Sequence, residues 1–100
     1  MSRFSDVIKR QLDLFELEQR PIVEDVETAL QKYNRADRED AEPRYEEYLD
    51  LVEEGTEELA ALRDNFSAAM DEESAEEYEA EFNRAVAKRL PQFALEIEDT

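Results

Sequence analysis

Residues 43 to 70 constrain this chain more than any other stretch. Tyr45, Tyr48, Val52, Gly55, Leu59, Leu62, Phe66 and Ala69 recur there at steps of three and four. Such spacing predicts one long helix with a continuous seam for partner helices. Leu49, Leu51, Thr56 and Met70 flank the seam. The apolar face is therefore wider than a two-stranded coiled coil requires, and it can meet two neighbours, or one neighbour and a second chain.

The preceding segment carries a similar stripe. Ile8, Leu12, Phe15, Gln19, Ile22, Val26, Ala29 and Tyr33 keep one phase, with only Gln19 polar. This predicts a single helix over residues 3–34, opened by Ser2 or Ser5. Pro21 lacks an N–H and crowds the carbonyl of Leu17, so a kink is expected near residues 17–20. The alternative is a short break, with Pro21 starting a new helix. Residues 34–42 are polar and aperiodic and read as a connection, in which Asp40 is the expected N-cap and Pro43 falls in the first turn of a helix over 41–70. Residues 71–74 form the next turn. Ser74, with Glu77 three residues on, reads as a capping box for a helix over 74–90. That helix presents Tyr78, Phe82, Ala85, Val86 and Leu90, and Pro91 ends it.

The tail, residues 91–100, is ambiguous. Phe93, Leu95 and Ile97 alternate as in a strand, whereas Leu90, Phe93, Ala94 and Ile97 fit a helical face. No other segment reads as a strand that could pair with it, so helix is the expectation. Gly55 costs its helix about 1 kcal/mol relative to alanine. Its place on the seam implies close approach of a neighbouring helix, or a bulky side chain such as Tyr or Phe filling the gap; a bend or ligand notch is the functional alternative. Rods joined by short turns must alternate in direction. The sequence therefore predicts an all-α, antiparallel up-down-up three-helix bundle with coiled-coil-like packing, one domain over residues 1–100, capable of self-association.

Charge narrows the function classes. Twenty-nine acids stand against twelve bases, a net charge of −17. Such a surface repels phosphate backbones and anionic membranes, so neither nucleic acid nor membrane is an expected partner. Nine of the bases are Arg and three are Lys. Abundant acid with little Lys points to a halophilic, salt-rich setting, where repulsion is screened within roughly 3 Å at 1 M salt. An ordinary acidic helical protein is the alternative. No run is apolar enough for a membrane span, and residues 1–20 lack a signal peptide's apolar core. A cytoplasmic location is expected.

Catalytic chemistry has few candidates. The chain has no His and no Cys, so Ser2, Ser5, Ser67 and Ser74 have no imidazole to activate them, and zinc has no soft donors. Ser67 reads as a solvent-facing residue. Glu53, Glu54 and Glu57 match the Glu-Glu-x-x-Glu element of the all-α nucleotide pyrophosphatases, which that resemblance would make a magnesium site. The companion Glu-x-x-Asp element is missing, with only Glu73 and Glu76 nearby. No catalytic residue, cofactor or metal is expected. Glu46, Asp50, Glu53, Glu57 and Asp64 form an outward ladder that could imitate phosphates and decoy a nucleic-acid-binding protein. Arg84, Lys88 and Arg89 are the one basic cluster. The sequence thus points to a protein–protein interaction or structural adaptor module, working on a protein partner or on itself. Tyr45, Tyr48, Phe93 and Ile97 are its candidate contacts.

Overall fold

A computed structural model describes residues 3–100. They form α1 (Ser5–Glu18), α2 (Arg20–Arg35), α3 (Ala41–Ser67), α4 (Glu72–Arg89), a 3-10 turn (Pro91–Phe93) and α5 (Ala94–Glu98). The chain is all-helical, and the described residues include no strand.

The first rod is broken, not kinked. Gln19 leaves the helical region at φ −108°, ψ 27°, and α2 begins one residue later with Pro21 in its first turn. A missing N–H costs nothing there, because first-turn donors have no intrahelical partner. The apolar stripe keeps its phase across the break, so Ile8, Leu12, Phe15, Val26 and Ala29 are all buried.

Pairwise contacts fix the directions of the helices. Tyr33 of α2 lies against Tyr45 of α3, ring centroids 5.1 Å apart, while Ile22 faces Gly55; α2 and α3 run oppositely. Arg63 reaches Asn83 and Ser67 reaches Glu79, so α4 also opposes α3. Arg3 bonds Ser74, and Arg89 bonds Glu16, which sets α1 and α4 in the same direction. The body measures 50 × 24 × 22 Å.

Gly55 is matched to a single side chain, that of Phe93. A Cβ at position 55 would overlap the Phe93 ring and lie 3.2 Å from Ile22 Cγ2. The ring also meets Phe15 edge-on, centroids 6.0 Å apart. It sits at the junction of α1, α2 and α3. Phe93 and Ile97, expected as partner contacts, are instead fully buried at 0% exposure. The tail folds back as helix because the cleft left by Gly55 takes its aromatic ring.

The buried face of α3 departs from the expected seam. Val52, Gly55 and Leu59 are buried as anticipated, but Phe66 is 40% exposed and Ala69 is exposed. In their place Thr56, Ala60, Arg63 and Ser67 are buried. A strict heptad drifts about 20° per repeat on a straight α-helix, and α4 and α5 pack on one flank. Phe66 keeps partial cover from the Tyr78 ring, 4.9 Å away. Ser67, expected to face solvent, is buried beside Glu79.

Two caps also differ from expectation. Phe4 occupies the N-cap of α1 and Ser5 is its first helical residue; Ser2 lies outside the described residues. Asp71, not Ser74, caps α4, its carboxylate accepting the Ser74 N–H at 3.3 Å. The helix starts earlier because Asp71 is three residues before that orphan donor. Asp40 does occupy the N-cap of α3, but its side chain makes no capping bond; Asp37 accepts the Asp40 N–H instead.

The Gly55→Ala variant should be destabilised. Alanine ordinarily gains about 1 kcal/mol over glycine in a helix, but overpacking here costs about 1–3 kcal/mol and reverses the sign. A lowered thermal midpoint, relieved when Phe93→Leu is added, is the expected result. A second expectation concerns Asp71. The Ser74 hydrogen bonds hold its carboxyl below the ordinary 3.8, so the cap's contribution is present above that pH and is lost as pH falls through the lowered folded value. Asp71→Ala should therefore unfold earlier than wild type at pH 6, and the gap should close near pH 2 in thermal melts.

Candidate functional site

α3 outruns α4, which packs beside its second half. α3 has 27 residues and α4 has 18, a difference of about 13 Å at about 1.5 Å per residue. The third layer of α4, the 3-10 turn and α5 covers α3 from Gly55 and Thr56 to Ser67. Beyond that level α2 and α3 continue as a two-helix arm. Val26, Ala29 and Val52 are buried between them. Tyr33, Tyr45 and Tyr48 stack toward the tip, with Tyr45 and Tyr48 centroids 6.2 Å apart.

One flank of the arm is apolar and open. Tyr45, Leu49, Val52, Thr56, Ala60, Arg63 and Ser67 follow one another at steps of three and four, so they share a face of α3. The lower part of this face is covered, whereas Tyr45 and Leu49 are 44% and 39% exposed. In an antiparallel pair, the residue one position past a facing residue turns to the same side on both helices. Leu30, one past the buried Ala29, therefore joins Leu49, one past Tyr48, and it is 37% exposed. Val23, two turns before Leu30, extends the line and is partly buried. Of the four contacts expected from sequence, the arm carries Tyr45 and Tyr48, and the interior takes Phe93 and Ile97. Leu49 was named with Leu51, Thr56 and Met70 as a flank of the seam, though not as a contact, and Leu30 was not singled out. A period of 3.6 run back from Thr56 along its own flank, not along the seam, would have picked Leu49 as a contact.

The basic cluster lies elsewhere, along an open groove of about 740 Å³ between α1 and α4. Arg84, Lys88 and Arg89 line one wall, and Ser5, Ile8, Lys9 and Leu12 the other. Arg89 is already engaged, with Nη2 donating to Asp13 at 2.6 Å and to Glu16 at 2.8 Å. The Glu16 and Asp13 carboxylates raise its pKa. Asp13 is held below the usual carboxylate range by Arg89 and then Lys9. The groove thus binds its two helices to each other through these pairs, and its floor is largely closed, since Ile8 and Leu12 are buried.

Arg63 is the polar residue that sequence reading missed. Its side chain is 5% exposed, and its guanidinium donates to Asp64 Oδ1 at 2.8 Å, Asn83 Oδ1 at 2.9 Å, the Ile97 carbonyl at 3.1 Å and the Thr100 carbonyl at 2.8 Å. A planar fork with five donors suits this role, which a lysine ammonium could not reproduce. These four bonds serve the fold, since they tie α5 to α3 and α4. The only sequence signal was its place seven residues after Thr56. Tyr78, buried against Phe4, Phe66 and Phe82, donates its hydroxyl to Gln11 at 2.7 Å. Burial pushes the phenol up to about 12.

The carboxylates of the pyrophosphatase-like element, Glu53, Glu54 and Glu57, are exposed. Among the described residues no three acids come close enough to hold a metal ion. The ladder Glu46, Asp50, Glu53, Glu57 and Asp64 is likewise exposed, with Asp64 paired to Arg63. No described helix is long and apolar enough to cross a membrane. Comparison with protein families, curated proteins and solved structures finds no match to this chain.

Arg63→Met should cost about 1.5–3 kcal/mol, the worth of hydrogen bonds to a charged group. Amides of residues 94–98 should exchange faster than those of α2 in hydrogen-exchange measurements, and Arg63→Lys should not restore their protection.

Proposed function

We propose that the chain is a non-catalytic helical interaction or structural adaptor module, built as an up-down-up bundle whose first rod is broken. The reading rests on one observation. The third rod stops at the level of Gly55, and above it the same groove stays open and apolar at Leu30, Tyr45 and Leu49. A helix that completes this groove would repeat the packing already made below by α4. Singly exposed apolar residues are ordinary on protein surfaces, but a line of them continuing a buried interface marks a place for another element. Most of the remaining surface is acidic, as a salt-rich setting would favour, with Leu14, Leu17, Phe66 and Leu95 exposed singly elsewhere.

Exposed ladders of like charge support a second reading, an acidic decoy for a basic nucleic-acid-binding surface. Salt separates the two. Contacts through Leu30, Tyr45 and Leu49 should survive or strengthen in molar potassium chloride, whereas attraction to the acid ladder should collapse. The test compares Leu49→Glu with Leu95→Glu, since Leu95 is also exposed but lies on α5. Light scattering and co-purification from the native cell at native salt should show loss of the partner or of the oligomer for Leu49→Glu alone. Equal behaviour of the two variants would remove the arm from the function.

A further inference from the structure

We infer that the open flank of the α2–α3 arm seats an amphipathic helix of a partner protein whose apolar row is bordered by Lys or Arg. The inference rests on the adaptor reading and names the partner's chemistry.

Three observations lead to it. The first is continuity: Thr56, Arg63 and Ser67 on this flank are already buried beneath α4 and α5, so the groove is shaped for a helix lying along it. The second is size. The line runs from partly buried Val23 to exposed Leu30 on α2, about two turns, and over exposed Tyr45 and Leu49 on α3, about one turn. The third is the sign of its borders. One position past Val26 stands Glu27, and one past Val52 stands Glu53; both are exposed and fall at the outer edge of the flank. Glu42 lies on the same side, three residues before Tyr45. Of the bases near the tip, Lys32, Arg35 and Arg44 gather with Asp37 and Asp40 on the other side of the pair, and Arg38 stands in the turn beyond the flank. An occupant with an apolar stripe between two basic edges would place its leucines on Leu30, Tyr45 and Leu49 and its cations beside Glu27 and Glu53.

A second copy fits poorly. Two such flanks placed face to face bring Glu27 and Glu53 toward the same acids of the other chain, on bodies that each carry −17. Nor does this chain offer a spare basic helix, because the bases of α4 line the groove toward α1, where Arg89 is paired. Self-association through the arm would work against its own charge.

The test uses three synthetic peptides of about 14 residues, about four turns: an amphipathic helix with leucine at heptad spacing and lysine borders, the same apolar stripe with glutamate borders, and a scramble of the first. Binding is read by fluorescence anisotropy in about 0.15 M potassium chloride, where the screening length is about 8 Å and the border charges still act. The lysine-bordered helix should bind, while the other two should bind at least about tenfold more weakly. Leu30→Glu and Leu49→Glu should each weaken it by about tenfold or more. Glu27→Gln with Glu53→Gln should weaken it by about twofold to fivefold, as exposed ion pairs do. Circular dichroism confirms that these exposed-site variants fold.

Equal binding of the scramble would show attraction to bulk negative charge and overturn the inference, as would equal binding of the glutamate-bordered helix. A dimer that Leu49→Glu dissolves would assign the flank to a second copy. If no peptide binds but Leu49→Glu still loses a native partner, the adaptor reading stands and the basic helix is wrong. If neither effect appears, both fail.

Discussion

A single helix in this protein is asked to serve two neighbours of unequal length. The first half of α3 packs chiefly on α2, and its second half on α4 and the returning tail. Burial follows that mismatch residue by residue. Where three layers meet, Leu59, Tyr78, Phe82, Val86, Phe93 and Ile97 are sealed from water. Where two meet, only Val26, Ala29 and Val52 are, and aromatic rings lean on one another toward the tip. Two helices alone bury one stripe each and leave their flanks wet, so the arm draws its stability from the body to which it is joined.

The acids obey a division of labour set by the same geometry. Those that hold elements together sit where helices cross: Asp13 and Glu16 clasp Arg89 between α1 and α4, and Glu79 receives Ser67 between α3 and α4. The greater number of the described acids face outward. These contribute solubility and repulsion but little to the choice of fold. A helix built this way depends on its greasy edge, and its surface is free to answer to the solvent.

Periodicity made the helices legible, because a repeat of three and four has one structural meaning. The helical tail was also within reach, since Leu90, Phe93, Ala94 and Ile97 share a face. Gly55 announced a bulky neighbour, and Phe93 is that neighbour. What the sequence concealed was which flank a third element would choose. Tyr45 to Ala69 and Thr56 to Ser67 are two stripes of one helix, one step apart, and only the position of α4 decides between them. Arg63 was hidden for a related reason. A charged residue in an acidic, charge-rich chain reads as surface until the carbonyls it must satisfy are seen to converge on it. The expected kink is a break at Gln19, a difference the sequence hides because both leave the same apolar phase.

The pairing of an absent side chain at 55 with a large one at 93 ties two distant sites into one volume. Neither can drift alone: a methyl gained at the first must be met by atoms lost at the second. Among descendants of this chain that keep the folded-back tail, these two columns should trade size, and one that loses the aromatic should be free to lose the glycine as well.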